Sequence, residues 1–166
     1  MNAYRNRLLG VVAGEDPFAV MADTPRRVQD LFRRIGDGGL TRPFGAGKWT
    51  ARQVFCHIAD VEVGTGFRIR QIAATDGEQH VIQPFDQDLW ARPYDRLPAD
   101  AALAAFAALR PYNIAYYRSL APEVLARVAM HPERGEESID TIIRMQAGHD
   151  RNHLAQLESI ASAASK

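Results

Sequence analysis

Two histidines four residues apart, in Gly148-His-Asp-Arg-Asn-His153, carry the clearest chemical signature in this 166-residue chain. On a helix that spacing puts His149 and His153 one turn apart, about 6 Å along the axis, so both imidazoles face one point. The flanking pattern puts that point inside the protein, because Ile142 and Gln146 precede the pair and Leu157 and Ile160 follow it on one stripe. Two buried neutral imidazoles need partners for their ring nitrogens, and a divalent metal meets that need. His57, at the edge of an apolar face carried by Ile58 and Val61, is a candidate third ligand. Three imidazoles from two helices leave at least one coordination position open, as a catalytic site requires. Two other readings exist: hydrogen-bonded core histidines, and a zincin built on H-D-x-x-H. The zincin is set aside because Asp150 is one methylene shorter than the Glu of that motif and only 13 residues follow His153.

Other residues join the site by position. Arg68 lies eleven residues after His57 and about 20° round the helix from it, on the inward face, where a guanidinium needs an anion. The expected partner is Glu62, Asp86 or Asp88 in an ion pair; the alternative is a substrate carboxylate. Asp86 and Trp90 fall on a long connection that has the length to fold over one end of a bundle as a lid, with loop anchoring the plainer role for Trp90. Asp60 and Asp150, each close to a ligand, are candidates for holding an imidazole N–H, although neither points straight at the metal on helical geometry. Cys56 is about 100° from His57 and reads as packing. His80 and His131 are assigned to loops.

The elements that must position these residues are helical. Alanine occurs 26 times, and no Asn-Gly or Asp-Gly hairpin lies between alternating apolar strands. Four helices are expected. The first runs from about Pro25 to Ile35, with Thr24 as N-cap, Pro25 at the first helical position and Gly36, Gly38 and Gly39 ending it. The second opens at Thr50 with a capping box to Gln53, continues to about Thr75 and stops at Asp76-Gly77. The third spans about Pro98 to Leu120, and Pro111 is expected to kink or break it. The fourth follows Gly135 with Ser138 as its cap. A short extra helix is placed near Tyr4 to Val12. About 22 residues, Asp76 to Leu97, join the second and third helices, which lets the two run parallel.

Composition narrows the class. The 20 basic and 20 acidic residues balance, and the 18 arginines alternate with acids instead of forming a stripe, so nucleic acid is a poor expectation. The longest apolar run, Ala101 to Leu109, has nine residues where a membrane span needs about 20, and no secretory signal is visible. One cysteine excludes an internal disulfide and suits a reducing cytosol, so a single soluble cytoplasmic domain over 1–166 is expected.

The segments Thr24-Pro25, Gly47-Lys-Trp-Thr50, His57-Ile-Ala-Asp-Val-Glu62, Arg68-Ile-Arg70, Phe85-Asp-Gln-Asp-Leu-Trp90, Leu109-Arg110, His131-Pro-Glu-Arg-Gly135 and His149-Asp-Arg-Asn-His153 occur in an order and spacing that resembles the DinB/YfiT-like superfamily of candidate metalloenzymes. The resemblance covers residues 24 to 160. It implies an all-α four-helix bundle of up-down-down-up order with a long crossover between the second and third helices. It also implies Zn or Ni on His57, His149 and His153, and a low-molecular-weight thiol such as bacillithiol or mycothiol as cosubstrate in S-transfer, or else metal-dependent hydrolysis. The expected function is thus a metal-activated nucleophile acting on a small-molecule substrate. The alternative is a non-catalytic, stress-associated metal-binding or dimerisation module, and a homodimer fits either reading.

Overall fold

The computed structural model describes residues 2–75 and 80–164 and contains seven helices among them. Four form the bundle: α2 (Pro17–Ile35), α3 (Ala51–Ala73), α5 (Ala99–Arg118) and α7 (Ile139–Ala164). Three are shorter: α1 (Ala3–Gly10), α4 (Gln87–Trp90) and α6 (Pro122–Leu125). The apolar core comes in two parts. One holds Val28, Leu31, Phe55, Ile58, Leu103, Phe106 and Leu157; the other holds Val20, Met21, Ile69, Ile72, Tyr117, Ile139 and Ile143. Chain order through these parts gives the topology. Helices α2 and α7 pass from the second part to the first, whereas α3 and α5 pass from the first to the second, which is up-down-down-up.

A buried polar layer separates the two apolar parts, and every bundle helix contributes to it. Arg110 of α5 donates from Nε to Glu62 Oε2 of α3 (2.8 Å) and grips Asp150 of α7 with both terminal nitrogens, Nη2 to Oδ1 at 3.0 Å. Asn113 donates to Glu62 Oε1 (2.7 Å), Gln146 to Glu62 Oε2 (2.8 Å) and the Thr24 hydroxyl of α2 to Asp150 Oδ2 (2.9 Å). Burial pulls the Arg110 pKa down, but Asp150 and Glu62 outweigh it and hold that pKa above its ordinary value. Fully satisfied charge groups of this kind fix the register of four helices at once.

Local signals explain most helix ends. Thr50 and Gln53 form the expected capping box, and Ser138 Oγ accepts from Thr141 N (3.1 Å) at the start of α7. The first bundle helix differs from expectation: it starts at Pro17 with Asp16 as N-cap, so Thr24 and Pro25 are interior. Pro25 lacks the N–H that would bond to the Met21 carbonyl, and Arg110 Nη1 donates to that oxygen instead (3.1 Å). Pro111 likewise sits inside an α5 that runs through it without a break. The expected helix stop at Asp76-Gly77 lies outside the described residues.

The bundle also carries a small sheet that the sequence reading omitted. Strand β1 (His80–Val81) lies in the crossover and pairs parallel with β2 (Val128–His131), which forms an antiparallel hairpin with β3 (Gly135–Ser138). Gly135, at φ 77°, follows a turn in which Arg134 N bonds to His131 O. A three-residue loop followed by a left-handed Gly at the head of the next strand closes a hairpin without an Asn-Gly or Asp-Gly dipeptide. His80 and His131 are therefore on strands. Among the described residues no helix is long and apolar enough to cross a membrane.

Candidate metal centre

His57 on α3 and His149 and His153 on α7 converge below the polar layer, and all three are buried. Their ligand atoms lie within 4.8 Å of one another, with His149 Nε2 at 3.0 Å from both His57 Nε2 and His153 Nε2. A tetrahedral ion about 2.1 Å from each nitrogen would space them about 3.4 Å apart, so the cluster needs little movement to accept one. Burial pushes His57 down to about 3 and His153 down to about 4, and drives His149 well below its usual value. The rings are neutral near pH 7, which is the form that binds metal. His153 Nδ1 lies 2.7 Å from Gln156 Oε1, so its proton sits on Nδ1 and its Nε2 lone pair faces the other two rings. His57 Nδ1 is buried with no hydrogen-bond partner among the described residues.

Trp49 closes one side of the cluster. Its ring meets His57 edge to face at 4.6 Å and stacks on His153 at 6.5 Å. On the other side His57 and His149 border a cavity of about 520 Å³, whose wall includes α1 through Tyr4 and Leu8, the crossover through Phe85 and Asp86, and the hairpin through His131 and Arg134. Gln146 reaches the same cavity one turn before His149, with its Nε2 held by Glu62 and its Oε1 buried without a partner among the described residues.

The other sequence candidates separate. Arg68 lines the cavity, but the expected ion pair is not formed: Nη2 reaches only the Gln83 carbonyl at 3.5 Å, and among the described residues no carboxylate pairs with it. Glu62 is taken by Arg110, Asp86 Oδ1 accepts from Asp88 N and Leu89 N to cap α4, and Asp88 is exposed. The buried pair exists, on a different arginine. Asp150 serves Arg110 and Thr24 and not an imidazole, while Asp60 accepts from the Tyr94 hydroxyl (2.6 Å). Trp90 stacks on Phe85 at 4.5 Å and is 41% exposed, outside the cavity wall. Cys56 packs with Ala91 and Tyr94 as expected, and burial raises its thiol to about 11. Trp49, Gln146 and Gln156 were not singled out as site residues. Gln156 was findable three residues beyond His153 on the same helix, and Gln146 was visible on the stripe.

A sequence model of the DinB superfamily matches residues 21–157. A protein of Oceanobacillus iheyensis, named a candidate metal-dependent hydrolase, is 34% identical over 139 residues, spanning 83% of this chain and 80% of its own length. A Bacillus mycoides protein named the same way is 30% identical over 139 residues, spanning 83% and 79%. The solved structure of YfiT from Bacillus subtilis, described as a candidate metal-dependent hydrolase with an unusual four-helix bundle topology, matches with a TM-score of 0.83 at 21% identity, covering 90% of this chain and 86% of YfiT. At that identity the likeness shows the fold. Because the family match runs through all four bundle helices and takes in every residue of the histidine cluster, the chain belongs to the DinB superfamily.

Proposed function

We propose that this protein is a metal-dependent enzyme acting on a small molecule in the cavity beside His57 and His149, as a hydrolase or as a transferase of a low-molecular-weight thiol. The observation that carries the reading is the convergence of three neutral imidazole nitrogens, two of them, on His57 and His149, at the wall of a cavity of about 520 Å³. His57, His149 and His153 would hold the ion, and an all-imidazole donor set suits Zn or Ni. Such an ion, when bound, lowers the pKa of a water or thiol at its open position and so supplies a nucleophile near neutral pH.

The chain's own residues do the rest. Gln156 holds the His153 ring in the tautomer whose lone pair faces inward, and Trp49 keeps water from the side opposite the cavity. The imidazoles bring no negative charge, so an anionic partner such as hydroxide or thiolate is favoured at the open side. Gln146 presents a fixed carbonyl to whatever enters, because Glu62 holds its amide nitrogen. The names of the relatives support metal-dependent hydrolysis; the thiol arm rests on the family resemblance and on the affinity of such a site for thiolates.

The test is elemental analysis of untagged protein, then turnover. About one Zn or Ni per chain is expected. Bacillithiol, mycothiol, glutathione, cysteine and water are offered as nucleophiles to an electrophile such as monochlorobimane, with metal-free protein and His57→Ala as controls. Activity that persists in both controls would place the chemistry elsewhere.

A further inference from the structure

The cavity that starts at His57 and His149 ends at a guanidinium, Arg68, that no acid among the described residues serves. Arg68 is half-buried there, with a 3.5 Å contact to the Gln83 carbonyl and its Cζ 5.9 Å from the centre of the Phe85 ring. The acid whose charge acts on it, Glu137, is already engaged: Arg134 Nε donates to Oε1 at 2.6 Å and Nη2 to Oε2 at 2.9 Å. Asp86 and Glu133 also border the cavity, but both are exposed, and neither pairs with Arg68. Burial, and Arg134 after it, push the Arg68 pKa below its ordinary value, and Glu137 offsets this only in part. A planar guanidinium in that state is built to take a carboxylate through two parallel N–H bonds.

The geometry between the two ends limits what fits. Arg68 follows His57 by eleven residues on the same face of α3, a rise of about 16 Å, and side chains tilt toward the helix N-terminus, so its head leans back toward the histidines. Val61 and Thr65 of α3 and Ile142 and Met145 of α7 also line the cavity, three of the four apolar.

We propose that Arg68 is the substrate-binding residue for an anionic group, and that the substrate is an elongated small molecule carrying a carboxylate at the end opposite its reacting group. The orientation rests on the metal reading above; the anion subsite does not.

Calorimetric titration with hydroxamate probes tests it. Zinc-loaded protein is titrated with the monohydroxamates of succinate, adipate and suberate, each against an uncharged alkyl hydroxamate of the same length. At one chain length the carboxylate-tailed probe is expected to bind about tenfold tighter or better. In Arg68→Gln that preference disappears while the uncharged probe binds as before, and Arg68→Lys recovers part of it. Equal affinity for charged and uncharged tails at every length overturns the proposal, as does a preference that survives in Arg68→Gln. If the protein takes up neither zinc nor nickel, the metal reading falls, and suberate titrated into the metal-free protein decides: binding present in wild type and absent in Arg68→Gln upholds the subsite, and no such difference overturns it.

Discussion

At the scale of single residues, burial and partners assign different work to side chains of one type. Each of His57→Ala, His149→Ala and His153→Ala is expected to reduce bound metal from about one equivalent to a small fraction, read by elemental analysis. Gln156→Ala leaves the three ligands in place and is expected to weaken metal affinity by about 10- to 100-fold, because His153 loses the acceptor that fixes its tautomer. The ion pair expected of Arg68 is formed by Arg110 instead. Arg110→Ala strands Glu62 and Asp150 without their cation and is expected to cost about 3–5 kcal/mol in urea unfolding. Arg68→Ala removes no ion pair and is expected to stay within about 1 kcal/mol of wild type. A large loss for Arg68→Ala would show that an ion pair forms in solution.

At the scale of elements, the close crossing of α1 over α7 shapes the cavity beside the metal ligands. Gly148 allows it: a Cβ there would sit 2.1 Å from the Leu8 carbonyl oxygen. Because the obstacle is backbone and not a flexible side-chain tip, Gly148→Ala is expected to lift α1 and cost about 1–3 kcal/mol. Hydrogen exchange should then quicken in the α1 amides and hardly change in α3. The long α2 carries a related lesson. Thr24-Pro25 has the composition of a helix start, and taken locally it is one. Arg110, 89 positions from Met21 in the chain, supplies the donor that the Met21 carbonyl lacks where the helix runs through the proline.

At the scale of the molecule, metal and fold support each other through α3 and α7. Removing the ion with a chelator is expected to lower the melting temperature, since ligands from two helices make binding free energy part of folding free energy. The metal-free protein should also be acid-sensitive. Burial holds His57 at about 3 and His153 at about 4, while in the unfolded chain a histidine titrates near 6.5. The unfolded state therefore binds more protons between those values, so stability is full above about pH 6.5 and falls as pH drops toward 4. Melting temperatures of the metal-free protein at pH 7.5, 6 and 5 check this, with His57→Gln expected to show a shallower decline. A flat profile would mean that the three rings are not buried and neutral.

Features that depend on spacing within one helix are legible in the order of amino acids. The stacking of His149 and His153, the capping box at Thr50, the Ser138 cap and the inward turn of His57 all follow from 3.6 residues per turn and from apolar stripes. The long crossover was legible too, because a bundle with one oversized connection has few arrangements open to it. What only the tertiary structure decided are the pairings between elements distant in the chain. Periodicity turns Arg68 inward, but it cannot say whether a carboxylate meets it; Glu62 and Asp150 arrive from α3 and α7 at the level of Arg110 instead. The same holds for Trp49 against His57 and for the hairpin whose Arg134 occupies Glu137. Charge and hydrogen-bond partners are chosen by distance in space, and in a bundle that distance is set only when all four helices have packed.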